Sequence, residues 1–178
     1  SDLDVKYIGV LSRLEKKELP IKYDLMVILS GPEPQRTFLE EKLIEELKDY
    51  KEKVVFIKGK IEPEQKKEEI DNVTFYNFMQ TEELEKTFNE SNFVLCRSGY
   101  TTVMDLAKLE KKAFFIPTPG QFEQEFLAKK YKREGILPMA KQDDFRIVDL
   151  DAIWLYQGLP KLNSKVDWKK LFLLFESE

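Results

Sequence analysis

Residues 97–102, Arg97-Ser98-Gly99-Tyr100-Thr101-Thr102, set a glycine and the hydroxyls of Ser98, Thr101 and Thr102 between an apolar run, residues 92–96, and a helical repeat. Gly99 lets the chain turn closely, and a helix start offers unpaired N–H groups at its positive end. This combination cradles an anion, and a diphosphate has the right size. Three residues beyond Thr102 stands Asp105, whose carboxylate would lie near that cradle and could accept hydrogen bonds from two adjacent sugar hydroxyls. The spacing from Thr102 to Asp105 also spells a capping-box-like pair, in which the acid serves only its own helix, and spacing alone favours the cap.

Three other places carry weaker chemistry. In Ser30-Gly31-Pro32-Glu33-Pro34-Gln35-Arg36, Gly31 permits a tight turn, and a helix opening near Pro34 would present free N–H groups to an anion. In Pro117-Thr118-Pro119-Gly120-Gln121-Phe122-Glu123-Gln124-Glu125, Gln124 can donate to and accept from sugar hydroxyls, as well as being an ordinary exposed glutamine. Glu123 and Glu125 stand two apart and share no helix face, which argues against a glycosidase-like acid pair. Phe78 and Met79 close an apolar run and could offer backbone groups and a wall to a flat base, or simply belong to the core.

Composition removes whole classes of chemistry. The 178 residues contain no histidine and one cysteine, which excludes Ser-His-Asp and Cys-His machinery and a zinc cluster. Asp2-Leu3-Asp4 and Asp149-Leu150-Asp151 match a manganese-binding pattern only by letter, so no metal is expected. A formal charge of −4, spread through the chain, argues against nucleic acid as a partner. A single cysteine cannot form an internal disulfide, which fits a reducing, soluble compartment.

The elements that must position these residues alternate regularly. Residues 23–30 form a nearly continuous apolar run, as in a parallel strand covered on both faces. Residues 37–50 then place Phe38, Leu39, Leu43, Ile44 and Leu47 on one helical stripe. Strands over 53–58, 73–78, 92–96 and 113–117 and helices over 81–88, 101–109 and 122–133 continue the pattern, with a short apolar piece at 136–139. This predicts an α/β fold, a Rossmann-like doubly wound parallel sheet. Residues 58–69 are merely charged and are expected to be a mobile loop. Residues 1–20 are expected to be an interdomain connector, 21–160 the domain proper, and 161–178 a C-terminal helix capped by Asp167, with Trp168, Leu171, Phe172 and Phe175 on one face.

The block from Cys96 to Ala107, followed by Phe115-Ile116-Pro117 and Gln124-Glu125, resembles the C-terminal domain of MurG-like glycosyltransferases of family 28, which have the GT-B fold. The likeness runs over residues 23–135. It implies a half-enzyme that binds a UDP-sugar, typically UDP-N-acetylglucosamine, and passes the sugar to a hydroxyl acceptor held by a separate N-terminal half. By that resemblance Ser98, Gly99 and Thr102, with Arg97 and Thr101 beside them, hold the diphosphate; Asp105 holds the ribose; Gln124 and Glu125 hold the sugar; Phe78 and Met79 meet the uracil through backbone groups. Ser30 and Gly31 fall where the family keeps its glycine turn. The family often has glutamate at the place of Asp105, a second glutamine at the place of Glu125, and a first loop richer in glycine.

The resemblance further implies that no catalytic residue lies in this chain, that the base sits in the missing N-terminal acceptor-binding domain or partner subunit, and that the UDP-sugar donor is the only small molecule needed, with no cofactor and no metal. The isolated chain is expected to bind donor without turnover. The expected location is cytoplasmic, at the inner membrane face where that partner makes any peripheral contact. Two other readings compete: a UDP-sugar epimerase or hydrolase half of a GT-B enzyme, and a non-catalytic flavodoxin-like interaction module.

Overall fold

The computed structural model describes residues 10–161. The strand-like stretch before residue 10, the Asp2-Leu3-Asp4 pattern and the helix expected at residues 161–178 lie outside the described residues, apart from Lys161.

The alternation of buried β-branched and aromatic runs with amphipathic stretches produces six strands: β1 (Tyr23–Ile28), β2 (Val54–Ile57), β3 (Lys67–Ile70), β4 (Val73–Tyr76), β5 (Ser91–Cys96) and β6 (Lys112–Phe115). Four α-helices connect them: α1 (Gln35–Leu47), α2 (Thr81–Asn89), α3 (Tyr100–Leu109) and α4 (Phe122–Arg133), with a 3-10 helix at Ile147–Leu155. The strand order is β3-β4-β2-β1-β5-β6. Five strands run parallel and β3 pairs antiparallel with β4 at the edge. The sequence therefore indicates the Rossmann-like α/β sheet, and β3 is the correction.

Residues 58–69 are not all loop. Lys67-Glu68-Glu69-Ile70 forms an exposed edge strand. Its charges leave no apolar pattern to read, and charged side chains are what keep a sheet edge from pairing further.

Both faces of the sheet are covered, which explains the continuous apolar runs. Leu25, Val27, Phe56, Leu95 and Phe114 point to one face, under Leu39, Leu43 and Leu47 of α1 and under Phe145, Leu150 and Ile153. Met26, Val55, Val94 and Phe115 point to the other, under Phe88 of α2, Val103 and Leu106 of α3 and Ala128 of α4. Phe38, placed by periodicity on the buried stripe of α1, is half exposed.

This division fixes where a ligand can sit. From β1 the chain winds through α1 to β2 and on toward β3; from β4 it crosses back through α2 to β5 and winds the other way through α3 to β6. The reversal falls between β1 and β5, whose ends lie side by side with Ile28 opposite Cys96. Ligands of open α/β sheets bind outside the carboxyl ends of the strands at such a switch point.

Residues 10–20 pack on the same domain. Leu14 is buried in the α2/α3-side core, worth about 2 kcal/mol by burial of a leucine side chain. Lys17 N donates to Asn89 Oδ1 at 2.8 Å, Asn89 Nδ2 donates to Glu15 O at 3.0 Å, and Lys16 pairs with Glu110 at 2.7 Å.

Candidate functional site

Three strand exits meet at the switch point: residues 29–34 after β1, 97–99 after β5 and 116–121 after β6, with Cys96 paired to both Ile28 and Phe115. The β5 exit leads directly into α3. Gly99 is the N-cap residue, no side chain caps the helix, and Val103 N already returns to Gly99 O at 3.0 Å. Among the described residues nothing accepts from the N–H groups of Tyr100, Thr101 and Thr102, and Tyr100 and Thr101 are exposed. Three free amides at the positive end of a ten-residue helix therefore face the crevice. A Cβ on Gly99 would meet nothing within 4 Å, so the space in front of the turn is open.

The Thr102–Asp105 capping box does not form. Asp105 stands in the second turn of α3, too far from the N-cap to serve it, and shares a face with Thr101 and Thr102. Its Oδ1 accepts a 2.6 Å hydrogen bond from Ser12 Oγ, a residue of the N-terminal strap 93 positions away. Asp105 Oδ2 has no hydrogen-bond partner among the described residues.

Arg97 and Ser98 lie behind the crevice wall. Arg97 is 1% exposed. Its guanidinium donates to Ile116 O and Pro117 O at 3.1 Å, Gln35 O at 3.0 Å and Gln142 Oε1 at 2.7 Å. It thus laces the β6 exit, the start of α1 and the 139–145 segment together. All four acceptors are neutral, so among the described residues the charge has no carboxylate partner. Burial holds its pKa down to about 10, still cationic near neutrality, and this adds positive potential behind the α3 terminus. The Ser98 hydroxyl donates to Gln124 O at 2.7 Å, tying β5 to α4.

Gln124 and Glu125 brace the third exit. Gln124 Oε1 accepts from Thr118 N at 2.9 Å, and its amide nitrogen donates to Gln121 Oε1. Glu125 accepts from Gly120 N at 3.0 Å and from Lys129 Nζ at 3.1 Å. The Lys129 bond, with the Gly120 amide behind it, holds the Glu125 carboxyl below its usual range. Thr118 Oγ1 is buried without a hydrogen-bond partner and faces Gly31, where an added Cβ would stand 3.4 Å away.

The first exit departs from expectation. Ser30 and Gly31 are exposed, and Gly31 has φ +101°. The start of α1 is not free for an anion, because Glu33 already supplies one: its carboxylate accepts from Thr37 N at 3.2 Å and Thr37 Oγ1 at 2.8 Å and pairs with Arg36. Arg36 also pairs with the buried Glu40 at 3.1 Å, which Lys58 and Lys60 approach from the segment after β2.

At the β4 exit, Phe78 N donates to Asn77 Oδ1 at 3.0 Å and Phe78 O accepts from Gln65 Nε2 at 3.0 Å. Met79 is half-buried and lines a groove with Gln65, Gln80, Thr81, Glu82 and Glu83. A separate groove between residues 138–141 and the 3-10 helix contains none of the candidate residues.

Among the described residues no three His, Cys, Asp or Glu side chains gather where they could hold a metal ion, and no helix is long and apolar enough to cross a membrane. Asp149 of the second D-x-D pattern accepts from Arg146 N at 2.8 Å and serves as a local cap.

Sequence reasoning missed Ser12, Glu33 and Gln142. Glu33 carried a readable signal, an acid just ahead of a helix start. Ser12 and Gln142 reach partners 93 and 45 residues away, and no local pattern encodes such contacts.

Two solved structures similar to this chain are longer than it, and it matches one part of each. The crystal structure of Acinetobacter baumannii MurG is 16% identical with a TM-score of 0.57, covering 91% of this chain and 51% of that one. A structure described as the glycotransferase of kitacinnamycin is 15% identical with a TM-score of 0.59, covering 83% and 39%. The chain thus spans about half the length of the first and less of the second. No curated protein sequence matches it. The model of the glycosyltransferase family 28 C-terminal domain matches residues 32–163. With the parallel sheet and its switch-point crevice, that match over most of its length places the chain in glycosyltransferase family 28, as a C-terminal domain of that family.

Proposed function

We propose that this domain binds a UDP-sugar, with a UDP-N-acetylhexosamine as the donor, and that it forms the donor half of a metal-independent hexosyltransferase whose acceptor half and general base lie in another domain or subunit. The observation that carries the reading is the uncapped start of α3 at the switch point, where the N–H groups of Tyr100, Thr101 and Thr102 have no partner among the described residues. A diphosphate seated there accepts from those amides and from the Thr101 and Thr102 hydroxyls. Asp105 lies on the same helix face, five residues or about 7.5 Å of helix rise beyond Tyr100, where Oδ2 can take a ribose hydroxyl.

The mechanism asks little of this chain in proton transfer. As the sugar leaves, negative charge grows on the diphosphate, and donors fixed in place before the reaction stabilise that charge without reorganising. The helix amides supply them, with the uncompensated Arg97 cation behind. The loop braced by Gln124 and Glu125 forms the sugar side of the crevice. Deprotonation of the acceptor belongs to the partner half, so the isolated chain binds donor and does not turn over.

Thermal melting with UDP tests the reading. At about 100 times its dissociation constant, a ligand adds about 2.7 kcal/mol, or roughly 2–4 °C for a domain of this size. A shift with UDP and none with FMN supports the donor reading. A shift with FMN alone, or with neither, overturns it.

A further inference from the structure

The N-terminal strap reaches Asp105 of α3 through one side chain. Ser12 Oγ donates to Asp105 Oδ1 at 2.6 Å and itself accepts from Leu14 N at 3.1 Å. The Leu14 amide takes a lone pair of the hydroxyl, so the hydroxyl proton is directed at the carboxylate. Leu14 is buried, and the strap is pinned to α2 by Glu15 N donating to Glu85 Oε2 at 2.8 Å and to α3 by Lys16 on Glu110. The hydroxyl is therefore held in place. Asp105 then has one oxygen clamped and the other without a partner among the described residues, a carboxylate fixed in rotation and half available.

We propose that Ser12 is a positioning residue for donor binding: by holding Asp105 Oδ1 it presents Oδ2 to the ribose hydroxyls, and it makes the strap at residues 10–17 part of the nucleotide site. This rests on the donor reading above and adds a residue outside the matched 32–163 region. Without the Ser12 hydroxyl the carboxylate is free to rotate, and a ribose must order it on binding. The affinity cost falls on ligands that carry those hydroxyls and on no others.

The test measures affinity by titration calorimetry for UDP and for 2′,3′-dideoxyuridine diphosphate, with the wild-type chain, Ser12→Ala and Ser12→Thr. UDP is expected to bind Ser12→Ala about fivefold more weakly, the size of the cost of ordering one freed side chain on binding. The dideoxy compound is expected to bind both proteins equally, and Ser12→Thr to restore UDP affinity. A purely structural role would weaken both ligands alike, since both need the intact crevice, and that result overturns the proposal. So does an unchanged UDP affinity in Ser12→Ala. Equal wild-type affinity for the two compounds would remove Asp105 as the ribose ligand and Ser12 with it. Binding of neither compound to the wild-type chain would overturn the donor reading itself.

Discussion

Arg97 and Gln142 meet inside the domain, the Nη2 group donating to Oε1 at 2.7 Å, and among the described residues every hydrogen-bond acceptor of the guanidinium is neutral. The buried guanidinium is held by oxygen dipoles alone. Such an arrangement keeps a positive charge fixed at the carboxyl edge of the sheet, where a paired Arg would have its charge cancelled. It also makes one side chain the junction of three loops.

Removal of that junction is expected to be severe. Arg97→Met leaves Gln35 O, Ile116 O, Pro117 O and Gln142 Oε1 without their donor. Buried acceptors left unpaired cost about 1–3 kcal/mol each, so the variant should lose at least about 3 kcal/mol in urea denaturation. A loss under about 1 kcal/mol would show that the lacing contributes little.

Gly59 is required by both conformation and space. Its φ is +65°, and an added Cβ would stand 2.3 Å from Leu29 O, a backbone atom that cannot give way. Gly120 has φ +80° but open space around it. Gly120→Ala should therefore cost about 1–2 kcal/mol, the usual left-handed penalty, and Gly59→Ala clearly more, read by urea midpoints at equal slope.

Gly99 separates folding from binding. Its φ of −74° and ψ of 150° suit any residue, and nothing stands within 4 Å of a Cβ placed there. Gly99→Val should keep its stability within about 0.5 kcal/mol. It should weaken UDP at least about tenfold by filling the approach to the α3 amides, as titration calorimetry would read.

Glu33 links stability to pH. Its bonds from the Thr37 hydroxyl and from Arg36 hold its carboxyl below the ordinary 4.5. A carboxyl depressed in the folded state contributes in full above the ordinary value and loses that contribution as pH falls through the lowered one. Wild type should melt above Glu33→Gln near pH 7, and the gap should narrow by about pH 3. A gap that widens in acid would contradict this.

The sheet was legible because strands such as Met26-Val27-Ile28 and Val94-Leu95-Cys96 are buried on both faces, and helices such as α3 repeat their apolar residues every three to four positions. β3 was not, since Lys67 to Ile70 is exposed throughout and carries no burial signal. The site was half legible. The helix start after Gly99 is a local signal and could be read. The commitments of Arg97, Ser98 and Gln124 to other loops depend on contacts between distant segments, and an arginine beside a glycine turn reads the same whether it faces a ligand or the core.

On the proposed donor reading a diphosphate sits on the first turn of α3. Amide NMR of the nitrogen-15-labelled chain, titrated with UDP, tests it most directly. Tyr100, Thr101 and Thr102 are expected to show the largest shifts, with Asp105 and Leu14 following. Shifts confined to other strand exits, or none at ligand saturation, would contradict it.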